Sequence, residues 1–105
     1  MNESQWINVA ALDDIPFDKL WPFERSGKAW VLVRSQASLS AFVDLCSHQA
    51  VKLSEFGEIK AGVLICHAHG AAFRCDTGQE LCFPATQPLQ KARLKVDQGM
   101  VYIFV

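Results

Sequence analysis

The run Leu64-Ile65-Cys66-His67-Ala68-His69-Gly70 sets one thiol and two imidazoles within four positions of an otherwise apolar stretch. A second set lies upstream, in Leu45-Cys46-Ser47-His48. Burying such groups without partners is costly, so a chain that gathers them into two short segments has a use for them. Cys46 and His48 have the spacing Cys-x-His, Cys66 and His69 the spacing Cys-x-x-His, and seventeen residues separate His48 from Cys66. Zinc takes two cysteines and two histidines tetrahedrally, usually segregated as a cysteine pair and a histidine pair. Here each segment contributes one of each. That mixture suits a two-iron, two-sulfide cluster, with both thiolates on one iron and both imidazoles on the other. Neighbouring side chains of an extended strand point to opposite faces, so Cys66 and His67 are poorly placed to share a cluster. His69 is the expected ligand, and His67 is expected to face solvent or a docking partner.

Bulk properties narrow the class. A chain of 105 residues, half hydrophobic and one-fifth charged, fits one small globular domain. The net charge is −1 and the ten Lys and Arg are scattered, which gives no electrostatic case for nucleic acid. The longest apolar runs are short, as in 30–33 and 63–66, well below the ~20 residues of a membrane span. The start of the chain, Met1 to Ala10, has no basic region followed by a long apolar one, so a cytoplasmic location is expected. In that reducing compartment the four cysteines, Cys46, Cys66, Cys75 and Cys82, point to a metal or catalytic role rather than to disulfides. Cys75 and Cys82 are expected to be buried thiols acting as small hydrophobes beside a turn.

The elements that must position the ligands read as short strands separated by turns. Trp6–Ala10 is a plausible first strand, and Leu12–Asp18 a turn region broken by Pro16. Leu20–Arg34 resembles two strands joined at Ser26-Gly27, the first demoted to an edge by Pro22. Ser38–Leu45 alternates and leads to Cys46. Ala61–Cys66 and Ala71–Cys75 are strand-like, with Asp76-Thr77-Gly78-Gln79 as a turn. After Pro84 and Pro88, Lys91–Val105 alternates again about a hairpin turn at Asp97-Gln98-Gly99. Trp6, Trp21 and Trp30 are expected to pack in or beside the core. Glu55, Glu58, Asp13 and Asp14 are expected to be solvated charges. No long amphipathic helix is evident.

The segments Cys46-Ser47-His48 and Cys66-His67-Ala68-His69-Gly70, followed by Phe73, Asp76-Thr77-Gly78 and the stretch from Leu81 to Leu89, resemble the Rieske-type ferredoxins, in particular the ferredoxin components of bacterial ring-hydroxylating oxygenase systems. The resemblance covers most of the chain. It implies an all-β, Rieske ISP-like fold, with an antiparallel β-sandwich base and a small inserted cluster-binding lobe. Residues 1–105 would form a single Rieske domain, with the base at about 1–43 and 86–105 and the lobe at about 44–85. It also implies one Rieske-type [2Fe-2S] cluster per chain, bound by Cys46, His48, Cys66 and His69. Many relatives have Pro after the second cysteine, where His67 stands here, and Gly two residues after the first histidine, where Ala50 stands.

Formal charge explains why histidines are wanted. Two ferric ions, two sulfides, two thiolates and two neutral imidazoles sum to zero, and one-electron reduction leaves a single negative charge. A cluster held by four thiolates is two units more negative in each state and resists an electron more. In high-potential relatives a disulfide joins the loops, at positions that are Val51 and Ala68 here. Those relatives also place hydroxyl donors where Ala71 and Phe73 stand. With fewer donors to the reduced cluster, a potential near the lower Rieske limit of roughly −150 mV is expected.

The chain has no room for a second, oxygen-activating metal site. The resemblance implies an electron-transfer protein rather than an enzyme. As a monomer it would carry single electrons from a ferredoxin reductase to a terminal oxygenase, often for aromatic-ring hydroxylation. Docking would be transient and close to His48 and His69, with no nucleic acid and no membrane involved. Alternatives are a small subunit of a multisubunit oxidoreductase such as nitrite reductase, or a redox-sensing regulatory module.

Overall fold

The computed structural model describes residues 6–25, 27–36, 38–46, 51–68, 70–83 and 85–104. Ten strands and one short helix are described: β1 (Trp6–Ala11), β2 (Leu20–Arg25), β3 (Lys28–Arg34), β4 (Leu39–Val43), α1 (Leu53–Phe56), β5 (Gly57–Lys60), β6 (Val63–Cys66), β7 (Ala71–Arg74), β8 (Glu80–Cys82), β9 (Lys91–Asp97) and β10 (Met100–Phe104). A single 3₁₀ turn, Leu12–Asp14, follows β1.

The strands form two sheets. The larger has six, in the order β1-β10-β9-β4-β3-β2, and the smaller has four, in the order β5-β6-β7-β8. Every described pairing is antiparallel. Pro22, which cannot donate to a ladder, lies on edge strand β2 as its chemistry requires.

Alternation along β3 and β4 explains how the sheets meet. Trp30, Leu32 and Ala41 face one core cluster with Val9, Ile15, Val101 and Ile103. Val31, Val33 and Phe42 face the other, with Leu53, Leu64, Phe73 and Leu89. The middle of the larger sheet is therefore apolar on both faces, which is why Trp30–Val33 reads as an unbroken hydrophobic run. Its second face seats the smaller sheet.

Turn chemistry sets the hairpins. Gln98 and Gly99, between β9 and β10, have φ of 51° and 76°. Ala61 and Gly62 do the same work between β5 and β6, with φ of 52° and 78°. Both are two-residue turns of the kind whose twist matches paired strands. The sequence pattern puts Ala61 and Gly62 in the strand; here they are its preceding turn, and β6 starts at Val63. Strand β5 is unmarked in the sequence because it spans only Gly57–Lys60, with one buried residue, Ile59. Among the described residues no helix is long and apolar enough to cross a membrane.

Candidate metal centre

Two cysteines that stand twenty positions apart in the chain are both buried in one core cluster. Cys46 is 5 % exposed and Cys66 is 1 % exposed, and both pack with Leu53, Leu64, Ala71 and Phe73. Strand β4 leads to the first, and the Cys46 N–H donates to Val51 O at 2.9 Å. Strand β6 delivers the second, where Cys66 pairs with Gly57 on one side and Ala71 on the other. The chain then reverses, with Gly70 N–H donating to Cys66 O at 2.8 Å and Gly70 at φ +81°. His48 and His69 lie outside the described residues. No described cysteine is in a disulfide.

The surroundings of the thiols are apolar. Ala71 and Phe73 are both fully buried, and they share a sheet face with Leu64 and Cys66, since Cys66 pairs with Ala71 and Leu64 with Phe73. Neither side chain carries a hydrogen-bond donor. Val51 and Ala68, one in each loop, pack against the same cluster, so no disulfide joins the loops there. Two buried thiols from separate segments, each with a histidine two or three positions on in the sequence, form a donor set that fits a two-iron, two-sulfide group.

His67 behaves as expected of a residue facing away from Cys66. Its side chain is 58 % exposed, and its Nε2–H donates to Glu58 Oε1 at 2.6 Å. That hydrogen bond, helped by the Lys60 ammonium, holds the Glu58 carboxyl below the usual carboxylate range. Glu58 is thus solvated but partnered. Cys75 is buried as expected, and burial, with the nearby carboxylates of Asp18 and Asp76, pushes its thiol up to about 11. Cys82 is a correction: it is exposed rather than buried. It ends the three-residue strand β8 at the sheet edge, where no further strand among the described residues covers it, and its Sγ points at Gly70 O, 3.7 Å away. Trp30 is buried, and Trp6 and Trp21 are half-buried.

Some of the supporting residues leave little trace in the sequence. Asp44, 2 % exposed, accepts from Ser54 N–H at 2.8 Å and from Ser54 Oγ–H at 2.6 Å. Gly57 makes the corner between α1 and β5, where a Cβ would come within 2.5 Å of Leu53 O and 2.6 Å of Leu20 Cδ1. Helix α1 is four residues long, too short to show a helical period.

Beside the exposed His67–Glu58 pair, the surface near these segments carries large apolar side chains. Phe83 is 83 % exposed, Leu45 45 % and Phe56 41 %. Leu45 precedes Cys46, Phe56 O accepts the His67 N–H at 2.7 Å, and Phe83 follows Cys82 beside Gly70.

Comparison with known proteins agrees with this geometry. The model of the Rieske [2Fe-2S] domain family matches residues 5–93. The ferredoxin component of the alkene monooxygenase system of Xanthobacter autotrophicus is 33% identical over 102 residues, covering 97% of this chain and 83% of the relative. The ferredoxin component of the naphthalene 1,2-dioxygenase/salicylate 5-hydroxylase systems of a Ralstonia species is 30% identical over 98 residues, covering 93% of each. A chain in the complex of reduced oxygenase and oxidised ferredoxin of carbazole 1,9a-dioxygenase superposes with a TM-score of 0.85 at 31% identity, covering 94% of this chain and 92% of that one. This chain belongs to the Rieske [2Fe-2S] domain family, and its cofactor is a Rieske-type [2Fe-2S] cluster.

Proposed function

We propose that the chain is a one-electron carrier, not an enzyme, that takes electrons from a ferredoxin reductase and passes them to a terminal oxygenase. The observation that carries this reading is the burial of Cys46 and Cys66, from two separate segments, in one core cluster, with exposed Leu45, Phe56 and Phe83 close to those segments. Relatives across nearly the whole chain are named as ferredoxin components, which supports the same reading.

Cys46 and Cys66 would hold one iron, and His48 and His69 the other. When bound, the cluster supplies reversible one-electron chemistry. The chain's own residues do the rest. Burial of both cysteines keeps water from their sulfurs, and the Cys46 amide is spent on Val51 O rather than on the cluster. Ala71 and Phe73 line the site without a donor, so the reduced, more negative state gains little hydrogen bonding. The potential therefore lies near the lower Rieske limit of roughly −150 mV. The reading also takes residues 1–105 as a single domain, with the base at about 1–43 and 86–105 and the cluster lobe at about 44–85, acting as a cytoplasmic monomer. Docking is transient, with the small interface such encounters use, and the apolar side chains beside the loops make the contact.

Anaerobic purification followed by iron and sulfide analysis, EPR and a redox titration tests the cluster. Reduction by a flavin-dependent ferredoxin reductase, then electron delivery to a Rieske oxygenase, tests the carrier role. Phe83→Ser should slow delivery by about fivefold or more while leaving the EPR spectrum and melting temperature unchanged, as expected when an interface anchor worth about 1 kcal/mol is lost. Zinc in place of iron, a clearly positive potential, or isolation only as a stoichiometric complex would each overturn part of this reading.

A further inference from the structure

The two loops that carry Cys46 and Cys66 are joined by a link made of protein alone. Asp44 lies two residues before Cys46, and its N–H donates to Ala29 O at 3.1 Å, which fastens it to β3. Its side chain is 2 % exposed, and both carboxylate oxygens are used by one residue: Oδ1 accepts Ser54 N–H and Oδ2 accepts Ser54 Oγ–H. Ser54 is in α1, whose preceding residue, Lys52, supplies no side-chain cap. Asp44, ten positions upstream, fills that role. The other end of α1 reaches the second loop, where Phe56 O accepts His67 N–H at 2.7 Å and Gly57 pairs with Cys66. A Cβ at Gly57 would come within 2.5 Å of Leu53 O and 2.6 Å of Leu20 Cδ1, so this corner between α1 and β5 is closed to any side chain. The connection runs Cys46, Asp44, Ser54, Phe56, His67, Cys66, with every step a covalent segment, the pair of hydrogen bonds between Asp44 and Ser54, or the single one between Phe56 and His67.

We propose that Asp44 is a positioning residue for the cluster: through Ser54 and α1 it holds the Cys46 loop at a fixed separation from the Cys66 loop. The inference rests on the reading of Cys46 and Cys66 as the two thiolate ligands. A buried carboxylate with two hydrogen bonds is costly to place and is held rigidly once satisfied. Its partner is one rigid turn of helix rather than solvent, so the link resists the spreading of the loops that ligand loss requires. Groups that orient ligands from behind typically affect metal retention by 10–100-fold.

The test compares cluster-loaded wild type with Ser54→Ala, Asp44→Asn and Asp44→Ala. Ser40→Ala is the control; it removes a buried hydroxyl of β4 that donates to Asp76 O at 3.1 Å and takes no part in the link through Asp44, Ser54 and α1. Ser54→Ala keeps helix propensity and folds, so it reports even where Asp44→Ala does not. The readouts are the half-life of the cluster against an excess of iron chelator, the width of the EPR lines, and the melting temperature. Ser54→Ala and Asp44→Ala should shorten the half-life by about tenfold or more and broaden the lines, while Ser40→Ala changes only the melting temperature. Asp44→Asn should fall between, because its amide oxygen still accepts the Ser54 N–H. Half-lives and line widths equal to wild type in Ser54→Ala would overturn the proposal. Wild-type protein that takes up no iron would instead overturn the ligand reading beneath it.

Discussion

The two ends of the smaller sheet carry the same residue in the same state of burial and put it to opposite uses. At one end β6 finishes with Cys66, and at the other β7 runs out into Cys75; each is 1 % exposed. Around Cys75 the chain is fastened to the larger sheet. Asp76 O accepts from Ser40 Oγ–H at 3.1 Å and from Lys91 Nζ–H at 2.7 Å, and the Arg74 guanidinium grips the Asp76 carboxylate at 3.0 and 2.8 Å. Gly78, at φ +78°, slides beneath Phe42 and Leu89. Around Cys66 the polar work is done by main-chain amides, the buried Asp44 and the surface pair His67–Glu58, and exposed apolar side chains, Leu45, Phe56 and Phe83, stand beside them. The first end anchors the lobe, and the second holds thiols ready and offers a surface. A buried cysteine therefore says nothing about function until its neighbours are known.

Exchanging the two cysteines gives the sharpest contrast. Cys66→Ala should abolish the iron–sulfur absorption and EPR signal outright, whereas Cys75→Ala should leave both intact and cost about 1 kcal/mol in denaturant unfolding. Retention of the cluster by Cys66→Ala would erase the distinction between the ends. Glycines make the next comparison. Gly78→Ala combines an unfavourable positive φ with a Cβ 2.8 Å from Phe42 Cε1, and should destabilise by about 2–4 kcal/mol. Gly70→Ala has the same φ penalty but meets no atom within 4 Å, so about 1–2 kcal/mol is expected. Equal losses would show that the anchor at Gly78 is not tightly packed.

The smallest effect is a pH dependence. The Cys75 thiol, pushed up to about 11 from an ordinary 9.0, stays protonated in the folded chain after the unfolded chain has ionised. The folded state then binds more protons, so stability is fully present below about pH 9 and falls as pH rises toward 11. Cluster-loaded Cys75→Ala should show a shallower decline across that window than wild type. Identical slopes would mean that the thiol at the anchored end is not shielded from water.

Much of this was readable along the chain. The spacing of Cys46, His48, Cys66 and His69 is a local pattern, and the alternation of β9 and β10 about Gln98-Gly99 is another; each depends on residues a few positions apart. Pro22 marks an edge strand because a missing N–H is a property of one residue. The opposite burial of Cys75 and Cys82 is not local, since it depends on which strands flank them and where the sheet stops. The same is true of Asp44, whose partner is ten residues away on a helix too short to leave a period. Ala61 takes a turn conformation that its residue type disfavours, because the pairing of Lys60 with Val63 leaves it no other. Residue types and short spacings specify which chemistry is present and which strands can form. Packing between distant segments selects which polar groups are buried, what satisfies them and which face is left to a partner, because those free energies arise only when separate parts of the chain meet.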